Sequence, residues 1–86
     1  MQVGVYSLEK VLYHGDATEV NCNTKSGEIT ILDNHEPLIS LLDRGVLKII
    51  DQDKAEHYIP VLSGFLEVRS GSKARFLVEE DKKRQQ

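Results

Sequence analysis

Residues 27–49 read GEITILDNHEPLISLLDRGVLKI, and the parsing of this stretch decides the fold. Its two ends alternate apolar and polar residues with a period of two, the pattern of a strand with one dry face and one wet face. Ile29 and Ile31 are expected to point inward, Glu28 and Thr30 outward. Between the ends lies Asp33-Asn34-His35-Glu36-Pro37, a run without an apolar residue. The segment that follows, Leu38-Ile39-Ser40-Leu41-Leu42, admits two parses. Pro37 near a first turn, Gly45 past an end, and leucines at 38, 41 and 42 fit a short helix. Such a helix is shorter than isolated helices tolerate, so the strand parse is preferred.

Working outward, the same period recurs on both sides. Val3 and Val5 alternate with Tyr6 and Leu8 on the other face. Val11-Leu12-Tyr13 resumes after a turn at Ser7–Lys10. In Thr18–Thr24 the residues Thr18, Val20, Cys22 and Thr24 share a dry face, opposite Glu19, Asn21 and Asn23. Lys25-Ser26-Gly27 is a turn, and so are Asp43-Arg44-Gly45 and Asp51–Lys54. His57–Val61 reads as an edge strand, since Pro60 has no N–H to give to a ladder. Ser63-Gly64 breaks it. Phe65–Arg69 and Lys73–Val78 complete the set around Ser70-Gly71-Ser72, with Phe65 taken as a core anchor. Turn signals at intervals of roughly 8–12 residues predict an all-β fold, a small sandwich of about eight to ten short strands. The sandwich is assigned to residues 1–78. Residues 79–86 are read as a polar tail too hydrophilic to pack.

An 86-residue chain is one domain, and its core must be built chiefly from Val, Ile and Leu, because the chain has no Trp and only two Phe. A net charge of −3 argues against non-specific nucleic-acid binding, which needs clustered Lys and Arg. It also argues against docking on anionic lipid by charge alone. Lys82-Lys83-Arg84 is read as a solvated charge run behind Glu79-Glu80-Asp81. Cys22 has no intrachain partner, which fits a reducing compartment, and its place beside Val20 makes it a core residue. No apolar run reaches the ~20 residues of a membrane helix. A soluble, cytoplasmic protein is expected.

The chemistry-bearing residues assemble into no catalytic pattern. His14, His35 and His57 stand 21 and 22 residues apart, a spacing that matches no short metal motif. There is no glycine-rich phosphate loop, no nucleophile elbow and no cysteine pair. Neither cofactor nor metal is expected, and the default class is an all-β binding module, for instance one that takes a peptide at a sheet edge.

Three stretches in order sharpen that class. In residues 27–49, Gly27, Glu28, Leu32, His35, Pro37, Leu38 and Gly45 fall where the ε subunit of rotary F-type ATP synthases (called δ in mitochondria) carries its Gly-Glu strand, its turn before His, its x-Pro-Leu and its next strand start. VLSGFLEV, residues 61–68, resembles the same family's Ser-Gly-Gly-Phe-Leu-Glu-Val through Gly64, Phe65, Leu66, Glu67 and Val68. VLYHGDATEV, residues 11–20, resembles its early strand pair. The resemblance spans roughly residues 3–78. It departs at Asp33-Asn34, where the family has Pro-Gly, at Ser63, where it has Gly, and at Thr30, also a Gly position. Asn34 tolerates the left-handed backbone such a turn needs.

The resemblance implies a non-catalytic central-stalk subunit of the rotor. It would link the γ subunit to the polar loops of the c-ring and help couple proton or sodium flow to ATP synthesis. It implies Glu28, Gly27 and Asp43 on the side of the c-ring, and His35, Asn34 and Glu36 toward γ. It implies other F1 subunits as partners through the complex, and a peripheral location on the cytoplasmic side of the inner (plasma) membrane without insertion. The family's C-terminal helical hairpin, which can brake ATP hydrolysis, has no counterpart in these residues, so no brake is expected. From Glu28 to Asp43 there are four acids and no Lys or Arg, so this stretch is expected to dock through an acidic face.

Overall fold

The computed structural model describes residues 1–82. Seven strands follow one another: β1 (Gln2–Tyr6), β2 (Val11–Thr24), β3 (Gly27–Leu32), β4 (Leu38–Leu42), β5 (Gly45–Asp51), β6 (Glu56–Arg69) and β7 (Lys73–Glu80). Leu38–Leu42 is therefore a strand. Ser40 and Leu42 turn inward beside Leu38, and Ile39 and Leu41 face out.

Pairing divides the strands into two layers that share their longest members. The first layer runs β3, the second half of β2, β5 and the first half of β6. The second runs the first half of β2, β1, β7, the second half of β6 and β4. All neighbours are antiparallel except β1 and β7, which are parallel. The β-sandwich is thus one continuous sheet folded over, and β2 and β6 carry it round the corners. If each of these two strands is counted once per layer, the seven make nine segments, within the range the turn spacing predicts.

Each long strand turns its corner through a bulge. The register slips between Ala17 and Glu19 on β2, and between Val61 and Ser63 on β6. An extra residue reverses which parity points inward. On β6, Ile59 and Val61 are buried before the bulge, and Leu66 and Val68 after it. On β2, Ala17 is buried before it, and Val20, Cys22 and Thr24 after. Two expectations are corrected for this reason. Thr18 is exposed at the bulge rather than sharing the dry face of Val20. Phe65 stands outward at 39% exposure, and its neighbour Leu66 takes the core position at 0%.

Pro60 sits where the edge reading puts a proline. Over Glu56–Pro60, β6 pairs with β5 alone, and Pro60 faces Val46 there. Its carbonyl accepts a hydrogen bond from the Asp81 N–H at 3.0 Å. That contact corrects the reading of the polar tail as far as Lys82. β7 continues to Glu80, and Asp81 is 2% exposed, with Arg44 Nε donating to its carboxylate at 2.9 Å. Lys82 reaches Glu9 at 3.3 Å. The remainder of the 79–86 assignment, including Lys83 and Arg84, lies outside the described residues.

The core between the layers is aliphatic, with Val3, Val5, Val20, Ile31, Leu47, Ile49 and Leu66 packed around Phe76, the largest fully buried side chain. Cys22 is part of this core, and burial pushes its thiol up to about 11.

Candidate docking surfaces

The residues singled out between Gly27 and Asp43 gather at two opposite ends of the β3–β4 region. β3 is six residues long, so its ends lie roughly 20 Å apart.

At the first end the chain makes a tight hairpin from β2 to β3. Thr24 pairs with Gly27, and the Thr24 hydroxyl both donates to the Gly27 carbonyl at 2.8 Å and accepts the Ser26 N–H at 3.1 Å. Gly27 has a φ of 122°, a backbone state that side chains resist, so a glycine is needed there. Glu28 follows on the wet face, opposite Asn23, and is exposed. The β4–β5 turn arrives beside it, through the Lys25 N–H to Leu41 and the Asp43 N–H to Asn23 carbonyls at 3.0 and 2.9 Å. Gly27, Glu28 and Asp43 therefore form one end surface.

At the second end Asn34 adopts a φ of 63°, the left-handed state expected of it, and the His35 N–H closes the turn on the Leu32 carbonyl at 3.2 Å. This turn is stitched to the body. The Met1 ammonium meets Asp33 at 2.7 Å, and the Asn34 N–H donates to Ser72 Oγ at 3.1 Å. His35 Nδ1 lies 2.7 Å from the Glu36 carbonyl, which fixes the ring. Asn34, His35 and Glu36 thus share one turn on the far side of the sandwich from Glu28.

The structure changes the electrostatic reading of this stretch. Asp33 is paired with the chain's own N-terminus, and Asp43 with Lys25 at 3.1 Å. The Lys25 hydrogen bond, helped by the Arg44 N–H, holds the Asp43 carboxyl below its ordinary range. Among the described residues Glu28 and Glu36 enter no ion pair. The free acidity is thus one carboxylate at each end rather than a four-acid face. The partners, Met1 and Lys25, lie outside the 28–43 window, where a count of that window cannot find them.

Sequence reasoning also missed an apolar patch. Leu41, Phe65 and Leu77 are cross-strand neighbours on the outer face of the second layer, 57%, 39% and 53% exposed, with Ile39 beside them at 67%. The signal was present in the alternation of β4 and β7, but the misassigned parity of Phe65 hid it. Among the described residues no three His, Cys, Asp or Glu side chains come together as a metal site requires, and no helix is long and apolar enough to cross a membrane.

The folded-over sandwich thus exposes two polar ends and one apolar face. Its family is set by comparison. The profile of the family described as ATP synthase, Delta/Epsilon chain, beta-sandwich domain matches residues 1–80, and the chain belongs to that family. The ATP synthase epsilon chain of Bordetella avium is 42% identical over 72 residues, covering 84% of this chain and 51% of the relative. That of Brevibacillus brevis is 38% identical over 79 residues, covering 92% and 59%. The chain thus spans about half the length of the curated relatives it matches. The fold also superposes on a chain of the Euglena gracilis mitochondrial ATP synthase OSCP/F1/c-ring structure with a TM-score of 0.82 at 16% identity, over 88% of this chain and 48% of that one. A central stalk/c-ring structure from Tetrahymena thermophila mitochondrial ATP synthase gives 0.77 at 15%, over 92% and 63%.

Proposed function

We propose that this chain is a non-catalytic central-stalk subunit of a rotary ATP synthase, set between the γ subunit and the polar loops of the c-ring and turning with them. Gly27, Glu28 and Asp43 face the c-ring; Asn34, His35 and Glu36 face γ. The observation that carries the reading, given the family, is that these two sets occupy opposite ends of one rigid sandwich. A coupling element must hold two surfaces at once and resist shear between them. Two bulged strands shared by both layers bind the sandwich into one unit, so torque applied at one end is delivered to the other.

At the c-ring end the free carboxylate of Glu28 is the specific contact. A guanidinium on a facing loop would pair with it bidentately and fix orientation as well as add energy. A rim pair is worth under about 1 kcal/mol, so Glu28→Gln weakens docking only mildly. Glu28→Lys sets like charge against the ring and does more. The test is proton pumping per ATP hydrolysed in membrane vesicles carrying the assembled enzyme. Lowered pumping with retained hydrolysis is expected for Glu28→Lys. Unchanged pumping and unchanged retention on the ring would mean that this end faces water.

A further inference from the structure

On the outer face of the second layer lies a cavity of about 310 Å³ lined by β1, β2, β6 and β7. That volume is at the lower bound of small-molecule sites. Register shows how it is made. Lys73 pairs with Arg69 on one side and Gln2 on the other, and Arg75 pairs with Gly4. Directly paired residues point to the same face, so Arg69, Lys73 and Arg75 project together. His14 stands across Gly4 on β2. Gly4, without a side chain, makes room for the Tyr6 ring, which lies over it where a Cβ would stand.

The charge of this cavity runs against that of the chain. The protein is net −3, yet three cations meet here with one lining acid, Asp16. None of the three is paired among the described residues, nor are Lys10 and Lys54, which stand apart in separate turns, whereas Lys25, Arg44, Lys48 and Lys82 are. Arg75 even has Glu67 as its cross-strand neighbour and makes no ion pair with it. Three unpaired like charges held side by side repel one another, and a multiply charged anion relieves that repulsion. Guanidinium forks suit tetrahedral oxyanions, and the lysine adds a point charge.

We propose that this cavity binds a small phosphate-bearing anion, gripped by Arg69, Lys73 and Arg75. The site holds independently of the stalk reading. Its three cations are too few for the six to ten phosphate contacts of a typical DNA-binding protein, and it is a recess rather than a broad basic surface of the kind a bilayer attracts.

The test is titration of the whole chain with tripolyphosphate, followed by calorimetry and by amide NMR shifts. Lys73→Gln/Arg75→Gln is compared with Lys10→Gln/Lys54→Gln, which removes the same charge from two exposed turns. Both pairs are surface changes that leave the fold intact. Affinity is expected to fall on the order of tenfold or more in the first pair and to stay near wild type in the second. Wild-type shifts should centre on Gly4, His14 and Lys73. Equal weakening in both pairs would reduce the effect to net charge and overturn the site. So would absence of tripolyphosphate binding, including the case in which anionic phosphatidylglycerol vesicles bind and tripolyphosphate does not.

Discussion

β6 behaves as two strands joined at residue 62. Its first half, Glu56–Val61, buries Ile59 and Val61, and over Glu56–Pro60 it has β5 as its one partner strand. Its second half, Ser63–Arg69, buries even-numbered residues and is held on both sides, by β4 and β7. One bulge accounts for the reversal. A period-two reading holds only within an uninterrupted ladder, so a residue's side of the sheet is set by its distance from the nearest bulge as much as by its own chemistry.

The largest test of that difference is a pair of truncations on adjacent residues. Leu66→Ala should cost about 2–5 kcal/mol in urea melts, since it empties a fully enclosed site. Phe65→Ala should cost under about 1 kcal/mol despite the greater volume removed, because the ring stands on the surface. Equal costs, or the reverse order, would break the parity argument.

Next comes the bulge itself. A Cβ at Gly64 would sit 2.5 Å from the Leu77 carbonyl oxygen and 3.1 Å from Val78 Cα, both backbone atoms that cannot swing aside. Gly64→Ala should therefore destabilise by about 1–3 kcal/mol, the usual range for overpacking. Ser63→Gly, which restores the glycine pair of the family, meets no such obstacle and should change little. A neutral Gly64→Ala would show that the corner has room to re-form.

These particulars show how far the sequence alone reached. The alternation of Val3 and Val5, of Ile29 and Ile31, and of Leu47 and Ile49 is local, and it identified the strands and the all-β class. Asn34 in a left-handed turn and Pro60 on a stretch with a single partner strand followed from backbone chemistry. Phe65, Thr18 and Asp81 did not, because each is decided by something distant. A bulge is defined by a partner strand, and the buried Asp81 carboxylate is matched by Arg44, 37 positions earlier. The structure brings Gly27, Glu28 and Asp43 together at one end of the candidate docking region and Asn34, His35 and Glu36 together at the other. Their acidity was overstated because Met1 and Lys25 neutralise two of the four carboxylates.

The first half of β6 gives a third test. There Asp81 closes over Pro60, its N–H on the Pro60 carbonyl and its carboxylate held by Arg44. Arg44→Gln leaves a buried carboxylate without its strongest donor, at a cost of about 1–3 kcal/mol. Amide exchange should quicken at Asp81 and at the end of β7 before it quickens on β6's second half. Uniform acceleration across the sandwich would mean that the two halves open together.

The smallest expected effect lies at the far end of the first half, in the β5–β6 turn. Asp51 Oδ1 accepts the Asp53 and Ala55 N–H groups, both at 2.9 Å, and Oδ2 lies 2.8 Å from His57 Nε2. The His57 hydrogen bond is the main cause that holds the Asp51 carboxyl below its ordinary range, with the two backbone donors assisting. A carboxyl whose folded value lies below its unfolded value, about 3.9, stabilises the fold above that pH and loses the contribution as pH falls through the folded value. Wild type should therefore lose melting temperature more steeply than Asp51→Asn below about pH 4. The two curves should converge at the acid end, because the amide has no charge to lose while its oxygen still accepts the turn N–H groups. Since the turn is exposed, the gap at neutral pH should be small and should shrink in salt. Parallel melting curves across the acid range would place the stability of this hairpin in its backbone hydrogen bonds and the packing of Ile59 instead.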